Sequence, residues 1–353
     1  MSRIILYAPN VRSGGGYVLL KSLTESWNES EELLGIFDER IKGKIPLPPK
    51  INIIWTKANI YQRIKSDLIL SKISSKEDLV LFMNGIPPLF RIKGKLVSYL
   101  QNRNLIDEIN IFKYDYKTSI RLFIERILCF LLRKRVDIYL VQTKSFERKL
   151  KEWYRGDEVS NLKSKIAPFA PSIRENNNPS EKIDIPNDFI YVSDGLFHKN
   201  HQTLLDAWEF LAKKQIYLSL VLTVGEDYRD LNKRINELRE KGLKIINKGN
   251  LERRELVKEY INSRALIYPS LRESFGLPLV EAAELNLPII SSDLEFVYEV
   301  CDPLITFNPK SMKSISEAVL DFQKIEDPNK IIKSKQKKTI YSPKEFLESL
   351  SSL

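Results

Sequence analysis

The feature that most constrains the fold is a rhythm that runs through the chain twice. Apolar runs of strand length recur at 4–7, 33–37, 51–55, 79–83, 96–100 and 136–141. Each is rich in Val, Ile, Leu or aromatic residues and lacks strict alternation, the pattern of strands covered on both faces. Stretches with helical spacing, such as 17–27 and 119–132, lie between them. That alternation predicts a parallel sheet wound with helices. Pro168, Pro171, the polar run 175–180 and Pro186 then interrupt every periodicity and read as a linker. Beyond it the rhythm restarts, with strands expected at 189–193, 216–224, 243–246, 265–268, 288–292 and 304–306. Helices are expected at 202–213, 228–241, 253–262 and 279–285. Ser342 followed by Pro343 marks the start of a closing helix, with the serine as N-cap. The expected fold class is α/β, two doubly wound domains. The first covers 1–170 and a linker covers 171–187. The second covers 188–335, and the closing helix in 336–353 packs back toward the first.

Composition supports two cores and removes several function classes. Of 353 residues, 43% are apolar, which excludes a mainly disordered chain. Two cysteines, Cys129 and Cys301, exclude a disulfide framework and predict a reducing compartment. The opening residues 1–10 hold too short an apolar run for a secretory core and read as a first strand. No window of 18 apolar residues exists, so a cytoplasmic protein, soluble or resting on a membrane face, is expected. The net charge of +10 is uneven. Residues 1–185 carry 32 Lys and Arg against 21 Asp and Glu, and the remainder carries 24 against 25. Such asymmetry fits an anionic partner, although a solvated basic surface fits equally. RRM, KH, zinc-finger and helix-turn-helix signatures are absent and the cations are scattered, so no nucleic acid is expected as partner.

The stretch 119–135 is apolar on more than one face and ends in Arg133-Lys134-Arg135. It reads either as a core helix feeding the next strand or as a segment resting on anionic lipid through those three cations.

Chemistry concentrates in 268–284, Tyr-Pro-Ser-Leu-Arg-Glu-Ser-Phe-Gly-Leu-Pro-Leu-Val-Glu-Ala-Ala-Glu. A strand ends at Tyr268, a loop carries Glu273, and a helix opens near Gly276 with Pro278 in its first turn. The free N–H groups and positive dipole end of such a helix suit a phosphate. Glu281 falls about one turn inside, far enough from Glu273 for the two carboxylates to do separate jobs. On spacing alone the segment is equally a well-capped core helix with two incidental glutamates. In the first domain Ser13-Gly14-Gly15-Gly16 follows a strand and precedes a helix, where missing Cβ atoms let backbone approach a phosphate. A plain tight turn has the same composition.

The segment resembles the E-x7-E signature of retaining glycosyltransferases of family 4, found in bacterial surface-polysaccharide assembly such as that of O-antigen. Collinear matches accompany it. Gly249-Asn250-Leu251 with Glu255-Leu256 resembles the family's nucleotide-side loop and helix. Pro288-Ile289-Ile290-Ser291-Ser292-Asp293 resembles its following strand, and Glu299-Val300 its trailing pair. The stretch 189–211, with His198-Lys199-Asn200-His201, resembles the strand, loop and helix that carry its phosphate-binding lysine. The likeness is dense over 189–320 and faint over the first 170 residues.

The resemblance implies the GT-B fold, two Rossmann-like domains facing each other across a cleft. It implies that Lys199 neutralises the donor diphosphate and that Glu273 touches the donor sugar's hydroxyls, both as catalytic residues. It implies that Glu281 binds the ribose. Phe275, Gly276 and Leu277 would give backbone N–H groups to phosphate and sugar, and Gly14, Gly15 and Gly16 would lie over the diphosphate. Two departures stand out. An arginine common six residues before the lysine is Ser193 here, which leaves His198 as a partial substitute on the donor side. A histidine common in the first domain is missing, and the region that corresponds is Gln101-Asn102-Arg103-Asn104, placed on the acceptor side. Aspartates at D-x-D spacing are absent and His198 with His201 makes a poor metal site, so no metal and no other cofactor is expected.

The function implied is a retaining hexosyltransferase. It would move a hexose or deoxyhexose from a nucleotide-diphosphate sugar to a hydroxyl of a glycan, a lipid-linked precursor. Its basic first domain would rest peripherally on the inner face of the cytoplasmic membrane. The rivals are a sugar-nucleotide-binding protein without turnover, motivated by Ser193 and the missing histidine, and a basic nucleic-acid-binding protein.

Overall fold

The computed structural model describes residues 3–28, 32–83, 85–154, 156–174, 187–328 and 340–353. It divides into two compact units, Met1–Pro171 with Ile340–Leu353, and Ser172–Thr339. Residues 175–186 of the expected linker lie outside the described residues.

The first unit is built on seven strands: β1 (Ile4–Ala8), β2 (Leu33–Asp38), β3 (Ile51–Thr56), β4 (Leu79–Phe82), β5 (Lys95–Tyr99), β6 (Ile138–Val141) and β7 (Ser164–Ile166). Their order is β3-β2-β1-β4-β5-β6-β7, and every pairing is parallel, with Leu6 opposite Gly35 on one side and Leu81 on the other. β2, β4 and β6 are buried along their whole length, as expected of strands with helices on both faces. Helices α1 (Gly14–Glu25), α2 (Ile60–Ile73), α3 (Tyr116–Leu132) and α4 (Lys144–Tyr154) supply the cover. Six of these strands sit where the apolar runs predicted them. β7, three residues that include Lys165, has no apolar run to betray it.

The glycine run and the basic end of 119–135 bear on two of the sequence readings. Gly14, Gly15 and Gly16 are not a loop ahead of a helix but the first turn of α1 itself, with Ser13 as N-cap. Arg133 is buried, its guanidinium 3.7 Å from the centroid of the Phe130 ring. Arg135 donates to the carbonyls of Pro88 and Leu89. Of the three cations that the lipid-facing alternative would use, only Lys134 is exposed, because the two guanidinium groups are taken up by backbone carbonyls and an aromatic ring of the same unit.

The second unit holds β8 (Asn187–Tyr191), β9 (Leu220–Leu222), β10 (Ile245–Asn247), β11 (Ser263–Tyr268), β12 (Ile289–Ser292) and β13 (Ile305–Phe307) in the order β10-β9-β8-β11-β12-β13, again all parallel. Its helices are α5 (His201–Lys213), α6 (Arg229–Glu240), α7 (Arg253–Ile261), α8 (Leu277–Glu284), α9 (Glu295–Val300) and α10 (Met312–Gln323). The strand expected over 216–224 shrinks to three residues. Gln215 takes a left-handed backbone, Ile216 N–H closes on the Leu211 carbonyl, and the Trp208 indole donates to the Leu218 carbonyl, so 214–215 turn and 216–219 run irregularly into the strand.

The final helix, α11 (Pro343–Leu350), starts where Ser342 predicted it. The Ser342 hydroxyl caps Glu345 N–H, while the Glu345 carboxylate accepts from Ser342 N–H at 2.7 Å, a reciprocal capping box. Phe346 stacks on Phe169 at 4.1 Å and meets Tyr99 edge-on at 5.2 Å, which makes this segment part of the first unit's core.

Candidate functional site

In the second sheet the chain order reverses between β8 and β11, which lie side by side. Outside the carboxyl ends of such a pair the loops diverge and leave room for a ligand. The loop after β8 carries Lys199, and the loop after β11 carries Glu273. Hydrogen bonds hold the two loops together. Leu271 N–H donates to the His198 carbonyl at 2.8 Å, and Asn200 Nδ2 donates to the carbonyls of Pro269 and Pro309. The buried Tyr191 hydroxyl donates to the Lys199 carbonyl at 2.7 Å and meets Ser270 Oγ at 3.0 Å. Asn200 can play this part because its φ of 64° turns the chain from a short 3-10 turn into α5.

Residues 74 positions apart in the chain then meet. Lys199 Nζ lies 2.8 Å and 3.0 Å from the two carboxylate oxygens of Glu273, and Tyr268 donates its hydroxyl to Oε1 at 2.9 Å. Both charged side chains are largely buried, at 16% and 10% exposure, so the pair is weakly screened. Burial pushes the Glu273 carboxyl up, but the Lys199 ammonium together with neighbouring hydrogen-bond partners such as Ser270 holds the group below the ordinary glutamate range. The site thus presents a lysine side chain and an ionised carboxylate beside the start of α8.

That start is shaped by Gly276, whose φ of 86° makes the left-handed N-cap and whose Cβ, if present, would crowd Leu279 at 3.1 Å. Pro278 falls in the first turn, where its missing N–H is harmless. Phe275 is buried and Leu277 half-buried. Glu281 lies further along α8 and is buried. It has its own partners: Tyr260 donates to Oε2 at 2.9 Å and Arg253 Nη1 stands 3.4 Å from Oε1. Burial raises the Glu281 carboxyl above the ordinary range, against the pull of Arg253. Glu281 thus rests on Tyr260 and Arg253, and Glu273 on Tyr268 and Lys199.

The remaining sequence candidates fall differently. Ser193 Oγ donates to the Asp194 carbonyl, and its N–H to Thr223 Oγ1. Burial and the neighbouring Lys199 lower His198 to about 4, so it is neutral at pH 7 and adds no cation where the arginine is missing. In the first unit Gln101 lies against the glycine turn. A Cβ on Gly16 would stand 3.1 Å from Gln101 Oε1, a tight contact that the amide would have to yield to. The other three of that group are drawn into local structure. Asn102 caps a short turn through Asn104 N–H, Arg103 pairs with Asp107 at 2.9 Å over the Phe146 ring, and Asn104 accepts from Arg126.

Sequence reasoning missed Tyr268, Tyr260 and Arg253. Tyr268 was read only as a strand end. Arg253 and Tyr260, seven apart on α7, share a helix face, which is the spacing signal that links them.

Comparison with known proteins bears on this unit first. Residues 172–339 match the family of glycosyl transferases, group 1. The matched segment spans the pair at the β8 and β11 loops and both glutamates. The serotype-specific mannosyltransferase WbdA of Escherichia coli is 31% identical over 144 residues, 40% of this chain and 18% of that protein. The O-antigen chain mannosyltransferase RfbU of Salmonella typhimurium is 29% identical over 153 residues, 42% of this chain and 41% of that one. The aligned part of this chain therefore spans less than half the length of either relative. Among solved structures, Anabaena HepE in complex with UDP and glucose superposes with a TM-score of 0.67 at 16% identity, covering 99% of this chain and all of that one. That likeness establishes the fold. Two parallel-sheet α/β units of the GT-B kind are what the sequence predicted.

Proposed function

We propose that the chain is a retaining glycosyltransferase that moves a hexose or deoxyhexose from a nucleotide-diphosphate sugar to a hydroxyl of a lipid-linked glycan, without a metal. The observation that carries this reading is the Lys199–Glu273 pair beside the α8 N-terminus, in the domain that matches the group 1 family. Lys199 and the helix end would stabilise the charge that grows on the departing diphosphate. Glu273 would accept hydrogen bonds from the donor sugar, and Glu281 from the ribose. In this reading the acceptor oxygen attacks from the face that the diphosphate leaves. The bond from the anomeric carbon to the diphosphate oxygen breaks, the bond to the acceptor oxygen forms, and the acceptor proton passes to the departing phosphate oxygen. The protein supplies position and charge. Since WbdA and RfbU are named mannosyltransferases, mannose is the first sugar to test.

Thermal stability measured against UDP, GDP, dTDP, ADP and CDP tests the donor site. A diphosphate at a hundredfold excess over its dissociation constant should add about 2.7 kcal/mol, and Lys199→Ala and Glu281→Ala should lose that gain. If no nucleotide shifts the melt at millimolar concentration, the reading fails. Turnover lost on adding chelator and regained with Mg²⁺ or Mn²⁺ would end the metal-free part. A second reading, a sugar-nucleotide-binding protein without turnover, draws on Ser193 and the neutral His198 where a second cation was expected. Donor hydrolysis or transfer that Glu273→Ala abolishes would decide for the enzyme.

A further inference from the structure

Helix α3 buries Ser119, Leu122, Cys129 and Leu132 on one side and leaves large apolar side chains bare on the other. Tyr116, Ile120, Phe123, Ile124, Ile127 and Leu131 are all exposed, with Tyr116 at 79% and Leu131 at 66%. At 100° per residue they fall within an arc of about 100°, a continuous stripe with no charged residue inside it. α2 repeats the pattern with Ile60, Tyr61, Ile64 and Leu68. The two helices flank one loop. Cys129 of α3 donates to the Gly85 carbonyl, Arg63 of α2 donates to the Ile86 carbonyl, and Leu89 N–H donates to Asp67 of α2. Phe90 of that loop is exposed as well. A monomeric protein in water rarely keeps so much contiguous apolar surface.

We infer that this face of the first unit, α3 with α2 and the loop between them, docks on an anionic lipid surface. Charge selects lipid over a second copy of the chain. Exposed Lys117 and Arg121 border the α3 stripe, Lys134 ends it, and Lys65 and Lys72 border the α2 stripe. Two copies pressed together would set these cations against each other, whereas anionic headgroups neutralise them. The stripes themselves are aliphatic and aromatic, suited to the acyl boundary. α3 has 17 residues, about 25 Å, and no described helix is long and apolar enough to cross a membrane, so α3 lies in the plane of the interface. Arg133 and Arg135 play no part, since both are engaged within the unit. The docking face deepens the lipid-linked reading of the acceptor by placing the first unit where such an acceptor lies.

The test is co-sedimentation of the full chain with vesicles of 30% phosphatidylglycerol in phosphatidylcholine. Neither donor nor acceptor is present, so the result is independent of the nucleotide site. The wild type should partition onto these vesicles and far less onto pure phosphatidylcholine. Phe123→Ser with Ile127→Ser should weaken binding at least tenfold. Lys117→Gln with Arg121→Gln should weaken it about 25-fold at low salt, roughly fivefold per cation, and little at 0.5 M salt. Melting temperatures should stay unchanged, because all four side chains are exposed. The inference is overturned if the apolar variant binds as the wild type does, or if the wild type does not bind. It is equally overturned if the wild type sediments as a dimer that the apolar variant converts to monomer.

Discussion

Replacing Lys199 with alanine removes the cation that keeps Glu273 ionised in a largely buried site. The pair is close, at 2.8 Å and 3.0 Å, and what remains for the carboxylate is the Tyr268 hydroxyl and local partners. Removing one member of a buried pair costs about 3–5 kcal/mol. The retained Tyr268 bond and the slight exposure put this case near the lower end, about 3 kcal/mol. For a domain of this size each kcal/mol moves the midpoint by about 2–4 °C, so a drop of roughly 6–12 °C is expected at pH 7. The pH dependence carries a sign. In the wild type Glu273 is held below the ordinary value of about 4.3, so it adds stability above that pH, and the gain fades as the pH falls through the folded value. In Lys199→Ala burial acts against only the remaining hydrogen bonds and raises the carboxyl, so the variant is worst at pH 7 and recovers as the group protonates. The gap between variant and wild type should therefore narrow from pH 7 to pH 4.5. Adding Glu273→Gln to the variant should restore most of the loss at pH 7. Calorimetry on the three proteins measures all of this. A deficit below about 1 kcal/mol, or one that does not change with pH, would refute the reasoning.

Tyr260→Phe should leave Glu281 with Arg253 alone and cost about 1–3 kcal/mol through the lost buried hydrogen bond, seen by denaturant unfolding. Arg253→Gln should do less to stability and more to nucleotide affinity, read by calorimetric titration with the nucleotide that stabilises the wild type. His201 is buried, is held down to about 3 by burial, and has neither ring nitrogen bonded among the described residues. His201→Leu should therefore be neutral or raise stability by about 1 kcal/mol, and a clear loss in thermal melts would contradict that. Ser342→Ala breaks one half of the capping box and should cost about 1 kcal/mol by the same measurement.

The strands were legible because parallel strands covered on both faces are written as unbroken apolar runs. β2 and β12 show this best, each bounded within a residue of its run. Helices α9 and α10 passed unread. The first has six residues, and the second opens at Ser311 with polar residues that hide its apolar face of Ile315, Ala318, Val319 and Phe322. Within the site, Glu273, Glu281 and Lys199 were found by their resemblance to a family pattern. Their partners were not, since a tyrosine at the end of β11 and an arginine at the start of α7 acquire meaning only once the sheet order sets them beside a carboxylate. The basic end of 119–135 left two readings open in sequence, a core helix or a lipid-facing run. Arg133 turns back onto nearby Phe130, and Arg135 reaches the carbonyls of Pro88 and Leu89, a contact that only the fold brings together.

The first unit is assembled from both ends of the described chain, with Phe346 lodged between Tyr99 and Phe169. During synthesis the two units must then mature in reversed order. The second unit is one uninterrupted segment and can fold once residue 339 has left the ribosome. The first, although made earlier, waits for residue 350 with its aromatic slot open. At about 5–20 residues per second, the roughly 180 residues between Pro171 and α11 amount to some 10–35 seconds of delay. A chain halted before Phe346 would carry a finished second unit behind an unfinished first one. Such a product would keep the Lys199–Glu273 site while leaving Tyr99 and Phe169 uncovered.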